Sequence, residues 1–279
     1  MRWKTLTALA FGTAMVCGAT AGPVAADPGP HMVRDNTLHD GYPNPPQETD
    51  NGWYREDTQV GGGVTLTSNF GAPSGFGGGA LALTTNDQSS AKAQLNTRDD
   101  VYGEPLFQFT NFLYQTWHSA TGSTTFPDAD ASYQVRVDID GNLSTTGDQT
   151  NLVYEPYWND IEGPAPQHPE GIKADTWQSW DATRGDWWSS KQIGSPPPTN
   201  PMDPPVVDPN CGLFHVEPGG GGPPFTQPSA VAAGCPKAKV VFVGVSVGSY
   251  NPSYVVAVDD LQFTRGADVY SFNFEPGTK

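Results

Sequence analysis

The chain has 279 residues, 30 Asp and Glu against 14 Lys and Arg, and a formal net charge of −16. So acidic a surface repels the phosphates of nucleic acids and of anionic lipids, and neither is expected as a partner. Gly (32 residues) and Pro (27 residues) are abundant, and no sustained 3.6-residue periodicity is present, which excludes a mainly helical protein.

The first 26 residues have the three parts of a secretory signal peptide. Arg2 and Lys4 make the start positive, residues 6–17 are apolar but too short to span a bilayer, and cleavage is predicted after Ala26. A cut after Ala21 and an uncleaved membrane anchor are the alternatives. Cleavage removes two positive charges, so the net charge becomes −18. The sequence therefore predicts a secreted protein without membrane insertion.

The chain after the predicted signal peptide divides into a short N-terminal segment and one large domain. Residues 27–50 are polar and Pro-rich and are predicted to be irregular, whereas residues 51–279 are predicted to form a single domain. In that domain, short runs with β-strand patterning alternate with Gly- and Pro-rich turns. About ten such strands predict an all-β fold, a two-sheet antiparallel β-sandwich of the jelly-roll type.

Several strands can be placed along the sequence. The run at 133–139 alternates strictly between apolar and polar residues, and the run at 239–249 is apolar on both faces, as in a central strand. Two tryptophan-rich segments flank a turn at 183–186. The predicted strands cover residues 64–67, 80–84, 106–117, 133–139, 151–158, 239–249, 254–263 and 269–274.

A Pro- and Gly-rich insertion over residues 193–236 precedes the last three strands. Its composition argues against a helix or a central strand, so an ordered surface loop is expected. Cys211 and Cys235 lie in it and are the cysteines that remain after signal cleavage. In an oxidising compartment they predict a disulfide, which contributes about 3 kcal/mol to stability. Two free thiols or a metal site are the alternatives.

Five aromatic residues are candidates for a glycan-binding surface, because sugar rings stack on aromatic rings. They are Tyr154, Tyr157, Trp158, Trp187 and Trp188. Neighbouring residues of a strand point to opposite faces, so at least one ring of each adjacent pair is expected to face outward. The alternative is that these rings fill the core, where large aromatic side chains dominate burial.

Two pairs of carboxylates are candidate metal ligands. Asp138 and Asp140 stand at a Gly turn and offer the hard oxygen atoms that calcium prefers, although a solvated turn without an ion is favoured because the EF-hand spacing is absent. Asp259 and Asp260 lie in an otherwise apolar strand, where a buried carboxylate needs a cation, an arginine or backbone amides as its partner. A structural calcium ion is thus a candidate, and no cofactor is required.

Glu155 is the candidate catalytic residue, since it stands between aromatic residues. A glycosidase needs two carboxylates across a cleft, and Asp138, Asp181 and Glu162 are candidates for the second. The E-x-D-x-x-E run of jelly-roll glucanases is absent. A non-catalytic protein is therefore favoured.

Two segments resemble known proteins. Residues 254–261 (YVVAVDDL) resemble the last strands of secreted jelly-roll carbohydrate-binding modules and related lectin-like sandwiches, and residues 79–85 are similar to their early strands. The resemblance implies a β-sandwich that binds sugars through aromatic side chains, often with one structural calcium ion. This chain departs from that pattern in its long insertion and in having Phe274 and Glu275 at the C-terminal end.

These observations predict a secreted, non-catalytic β-sandwich that binds glycan or another extracellular surface component. One alternative is a glycan-active hydrolase or lyase that uses Glu155. Another is a structural or adhesive surface protein that binds no small ligand.

Overall fold

The computed structural model describes residues 30–41, 52–121, 128–159, 167–190 and 227–277. Several predictions fall outside these residues and stay predictions: the signal peptide over 1–26, Glu162, Cys211 with its disulfide, and residues 193–226 of the insertion. Cys235 is described and is buried. None of the helices in the described ranges has the length and apolar character needed to cross a membrane.

The described residues form fourteen strands in two seven-stranded sheets. In chain order the strands are β1 His31–Val33, β2 Leu38–His39, β3 Trp53–Tyr54, β4 Gly62–Thr67, β5 Ala80–Thr85, β6 Lys92–Thr97, β7 Phe109–His118, β8 Ser132–Asp138, β9 Gln149–Tyr154, β10 Gln178–Asp181, β11 Trp187–Ser189, β12 Lys239–Gly248, β13 Val255–Arg265 and β14 Asp268–Phe274.

Sheet A contains the path β1-β14-β13-β5-β4, with β7 paired to β13 and β10 paired to β7. Sheet B has the order β11-β9-β8-β12-β6-β3-β2. The predicted all-β two-sheet sandwich is confirmed. Its sheets are mixed, because β1 pairs with β14 and β2 pairs with β3 in parallel.

Aromatic side chains from both sheets fill the space between them. Tyr114 and Trp180 of sheet A contact Tyr154 of sheet B edge to face, at ring-centroid distances of 6.0 and 6.4 Å. The polar ends of these rings are satisfied inside the core: Trp180 Nε1 donates to Thr116 Oγ1 at 2.8 Å, and Tyr114 Oη donates to the Ala131 carbonyl at 2.8 Å. Such pairing lets large amphipathic rings be buried without unpaired donors.

The N-terminal segment over residues 27–50, predicted to be irregular, contributes two short strands. Val33 in β1 and Leu38 in β2 are both buried, so each strand is fixed to the edge of a sheet by one apolar side chain. A short 3₁₀ turn at Asp35–Thr37 connects them, and another precedes β7 at Leu106–Gln108. Strands of two or three residues carry too little periodicity to be recognised in a polar sequence.

Two predictions about secondary structure are wrong. The strand predicted over 151–158 ends at Tyr154, and helix α1 (Pro156–Asn159) follows, because Pro156 has no backbone N–H for a sheet ladder. The insertion also contains a helix, α2 (Pro228–Gly234), in the part that is described. Proline is tolerated at the first helical position, and the alanines that follow have the highest helix propensity.

Candidate functional site

Sheet B turns one face to the core and the other away from it. In β8 the side chains of Tyr133 and Val135 belong to the core, so Gln134 and Arg136 point to the opposite side. Strand pairing continues this outer face of sheet B across the sheet. One row of it runs from β11 to β3 through Trp188, Val153, Gln134, Gly244, Asn96 and Tyr54.

A cleft of about 280 Å³ opens on the outer face of sheet B, between the turn after β3 and the β8–β9 hairpin. We call it the sheet B cleft. Its lining is polar and includes Glu56, Asp57, Arg136, Gln149, Asn151 and Ser190. The volume is near the lower limit of small-molecule pockets, so the cleft suits one segment of a ligand.

Arg136 is the cation that the sheet B cleft offers to a ligand. Its Nε atom is buried and has no hydrogen-bond partner among the described residues. Its guanidinium lies over the ring of the buried Phe242, 5.8 Å from the ring centroid, which favours a cation in this position. A half-buried arginine with an unused donor is prepared to donate a hydrogen bond to a ligand oxygen.

The acidic residues of the cleft lie close to other cations. Lys92 Nζ pairs with Asp57 at 2.6 Å, and Arg98 approaches Glu56 at 3.8 Å. Burial raises the pKa of Glu56, and the positive charges of Arg98 and Arg136 oppose that shift. The cleft is thus close to electrical balance on a strongly acidic protein, so it does not repel anionic groups of a ligand as an acidic surface does.

Amide side chains beside the cleft keep unused hydrogen-bonding atoms. Gln94 Nε2 donates to Asn96 Oδ1 at 2.9 Å, and Gln134 Nε2 donates to Ser246 Oγ. In the described part of the chain, Gln94 Oε1, Asn96 Nδ2, Gln134 Oε1 and Asn151 Oδ1 have no partner. Buried polar atoms are nearly always hydrogen-bonded, so a row of four such atoms on one face indicates a place for polar ligand atoms or water.

The five predicted aromatic residues separate into two groups. Tyr154 and Trp187 are inaccessible to solvent and belong to the core, and Trp187 Nε1 donates to the Ala182 carbonyl at 2.7 Å. The prediction that these two bind a ligand is therefore wrong, because their strand positions face the other sheet. Tyr157, Trp158 and Trp188 are partly exposed, and Trp188 belongs to the outer face of sheet B.

Glu155 lies among the three partly exposed aromatic residues. The side chains of Trp188 and Trp158 donate hydrogen bonds to its carboxyl group. Burial raises the pKa of Glu155 from 4.5 to about 7, and these two hydrogen bonds oppose the rise. As a residue Glu155 keeps part of its surface exposed, whereas its carboxyl group is desolvated. The structure thus places the candidate catalytic residue in contact with Trp158 and Trp188, two of the aromatic residues predicted to bind glycan.

The second carboxylate of a glycosidase pair is not found at Asp138. Asp138 pairs with Gln149, six residues before Glu155 along β9, which corresponds to about 20 Å at the rise of a β-strand. Catalytic carboxylates lie about 5–10 Å apart. Asp181 forms an ion pair with Arg184 at 3.0 Å. Among the described residues, no carboxylate contributes to the shifted pKa of Glu155.

The structure adds a third residue to the first predicted metal pair. One carboxylate oxygen of each of Asp138, Asp140 and Asp148 lies within 4.8 Å of the others. The favoured sequence interpretation, a solvated turn, is wrong for Asp138, because this residue is fully buried. Burial raises the pKa of Asp138 to about 6, the Gln149 side chain opposes the rise, and the charges of Asp148 and Asp140 add to it.

The second predicted metal pair, Asp259 and Asp260, has partners from the protein itself. The backbone N–H of Phe274 donates to Asp259 Oδ1 at 2.9 Å. The amide groups of Gln115 and Gln262 donate to the two oxygens of Asp260. Asp260 has φ +49°, so it forms a bulge in β13. Of the predicted partners, a backbone amide contacts Asp259, whereas the side-chain amides that contact Asp260 were not predicted.

Sequence reasoning missed the amide side chains in and beside the cleft, of which Asn151 lines it. Gln94, Asn96, Gln134 and Asn151 occupy alternate positions of their strands, opposite the apolar residues. Alternation alone marks such residues as facing away from the core. Which strands are neighbours, and therefore that these amides form one row, follows only from the sheet order.

Sheet A carries a separate aromatic patch. Phe70 stacks on Trp117 at a centroid distance of 4.6 Å, and Trp177 Nε1 donates to the Phe70 carbonyl at 3.3 Å. All three residues are partly exposed. This patch lies on the opposite sheet from the sheet B cleft, and it has no row of unpaired amides among the described residues.

Comparisons with known proteins identify no family. No family model and no curated protein matches the chain. Among solved structures the chain is similar to a family 11 carbohydrate-binding module from Clostridium thermocellum, determined in complex with a β-1,3-1,4-mixed-linked tetrasaccharide. The two share 10% sequence identity with a TM-score of 0.33, over 83% of this chain and 95% of that chain. Similarity at this level assigns no ligand to this chain.

Proposed function

We propose that the protein is secreted and binds a glycan in the sheet B cleft without transforming it. The observation that carries this proposal is that two residues lining the cleft, Arg136 and Asn151, keep buried polar atoms without a hydrogen-bond partner among the described residues. The buried amides of Gln94, Asn96 and Gln134 beside the cleft keep unpaired atoms as well. Sugars present alternating donors and acceptors in the form of hydroxyl groups, and planar polar side chains complement them. The indole of Trp188 at the end of the row adds a partly exposed apolar surface for a sugar ring.

Electrostatics supports the same choice of ligand. The chain carries a strong negative charge, which disfavours nucleic acids. The cleft itself contains carboxylates and an available arginine, which fits a ligand that is hydroxyl-rich and neutral or carries isolated acidic groups. A site of this kind gains specificity from several modest hydrogen bonds instead of one strong ionic contact.

The test is a glycan array and a polysaccharide pull-down with the mature protein. We expect retention on a subset of polysaccharides and no release of shorter products. Arg136→Ala should weaken binding about 10- to 100-fold, since it removes charge-assisted hydrogen bonds. Arg184→Ala is the matched control, because Arg184 is 85% exposed and pairs with Asp181 away from the cleft. Retention of nothing, or equal loss in both variants, contradicts the proposal.

A second candidate, a glycan-active hydrolase or lyase, is favoured by one observation only. Glu155, with its pKa near 7, would be protonated in part at neutral pH, as a general acid must be. Product analysis after prolonged incubation with each retained polysaccharide separates the candidates. Turnover that is lost in Glu155→Gln supports the enzyme, whereas binding without products supports the first proposal.

A further inference from the structure

The β8–β9 hairpin gathers three carboxylates at the edge of the sheet B cleft. Asp138 is the last residue of β8, Asp140 stands in the turn, and Asp148 directly precedes β9. The hairpin closes so that Asp138 pairs with Gln149. This pairing returns Asp148 to the other two, and one carboxylate oxygen of each residue lies within 4.8 Å of the others.

Asp138 distinguishes this group from an ordinary acidic turn. Its exposed fraction is 0%, and its Oδ1 atom has no hydrogen-bond partner among the described residues. Its Oδ2 atom accepts a single bond, from Gln149 Nε2 at 3.3 Å. A buried carboxylate oxygen without a donor is strongly unfavourable, and two further carboxylates beside it increase the repulsion. A positively charged partner beside Asp138 Oδ1 would remove both penalties.

We propose that Asp138, Asp140 and Asp148 bind a calcium ion. The group offers oxygen ligands only, with neither His nor Cys, which disfavours zinc. Calcium accepts six to eight oxygens in irregular geometry, whereas magnesium requires a near-ideal octahedron. A hairpin turn can supply carboxylates, carbonyl groups and bound water at irregular angles. Calcium is therefore the divalent cation that suits this site best.

The ion has a consequence for the sheet B cleft. Gln149 lines the cleft, and its Nε2 atom donates both to Asp138 Oδ2 and to the Thr145 carbonyl, each at 3.3 Å. An ion that holds Asp138 and the turn holds Gln149 in place as well. Calcium binding then orders one wall of the cleft before a ligand arrives. This second part of the proposal rests on the proposed function, whereas the metal site itself does not.

The metal site is tested by calorimetric titration of the chelator-treated mature protein with calcium chloride. We expect one ion per chain with a Kd of about 10⁻⁵–10⁻³ M, which extends from the weakest sensor sites to extracellular modules. Asp148→Asn should weaken binding at least tenfold, while Asp268→Asn, which removes an exposed charge from sheet A, should not change it. Circular dichroism without calcium confirms that the variants are folded. No heat of binding, or equal binding by Asp148→Asn and wild type, overturns the proposal.

Thermal unfolding provides an independent readout. Calcium at a hundredfold excess over the wild-type Kd should raise the Tm of the wild type by about 5–10 °C and that of Asp148→Asn by about half as much or less. Retention on polysaccharide should then fall when chelator is added, and this dependence should disappear in Asp148→Asn. Calcium binding without any glycan retention contradicts only the proposed function, and glycan retention without calcium binding contradicts only the metal site.

Discussion

At the scale of residues, Glu155 shows how a local environment decides the state of one group. Burial raises its pKa from 4.5 to about 7, against the hydrogen bonds from Trp188 and Trp158. A carboxyl group whose pKa is raised by folding stabilises the fold in its protonated form. That contribution is complete below pH 4.5 and is lost as the pH rises through about 7.

Glu155→Gln, which imitates the protonated form, should therefore stabilise the protein at high pH. From the shift of the pKa we expect a gain in the free energy of unfolding of about 3 kcal/mol at pH 8.5 and less than about 1 kcal/mol at pH 5. Urea unfolding of both proteins at the two pH values measures the difference. A gain that does not depend on pH contradicts the assignment of this pKa to Glu155.

Trp187 and Tyr157 show the difference between a core ring and a surface ring from the same predicted set. Trp187 is fully buried and contacts Phe112 and Tyr133, whereas Tyr157 is partly exposed. Trp187→Ala should cost about 3–5 kcal/mol in the free energy of unfolding, and Tyr157→Ala clearly less. Denaturant titration of the two variants checks this order, and a reversed order would show that Trp187 is not a core residue.

At the scale of elements, the central strands follow from their composition. The last three strands were predicted at 239–249, 254–263 and 269–274, and they are observed at Lys239–Gly248, Val255–Arg265 and Asp268–Phe274. A long apolar run that is bounded by turns buries its side chains as a central strand of a sheet, so its position is recognisable in the sequence. The short edge strands were missed because their few contacts depend on neighbours distant in the sequence. Helix α2 was missed because its short alanine-containing run lies in a segment whose Pro- and Gly-rich composition argued against a helix.

The candidate site was predictable only in part, for the same reason. Composition drew attention to Trp188, Asp138 and Glu155, but not to Gln134 or Asn151. A single polar residue in a strand carries no sign of its function. It becomes a site residue when strand order places β9, β8, β12 and β6 side by side and joins their polar faces.

Gly244 provides the element-scale test of this strand order. It pairs with Gln134 on one side and Asn96 on the other, and a Cβ there would lie 2.4 Å from the Leu95 backbone oxygen. Gly244→Ala should therefore cost about 1–3 kcal/mol by overpacking β12 against β6. Gly147→Ala, where a Cβ meets nothing within 4 Å, should change stability by less than about 1 kcal/mol. Equal stability of the two variants contradicts the pairing.

At the scale of the whole molecule, the predictions about the compartment and the disulfide both depend on the predicted signal peptide. We predict that a host with a general secretion pathway releases a protein that begins at Asp27. Intact-mass analysis should also find Cys211 and Cys235 two hydrogens below the mass of the reduced form. A cell-associated chain that retains Met1 contradicts both predictions.

The central claim concerns which face of the sandwich meets the ligand, and hydrogen exchange tests it most directly. Exchange is compared with and without a retained polysaccharide in calcium-containing buffer. We predict slower exchange at the turn after β3, along the β8–β9 hairpin and at residues 188–190, with no change around Trp117 on sheet A. Protection confined to the patch of Phe70, Trp117 and Trp177, with the sheet B cleft unaffected, would contradict the account.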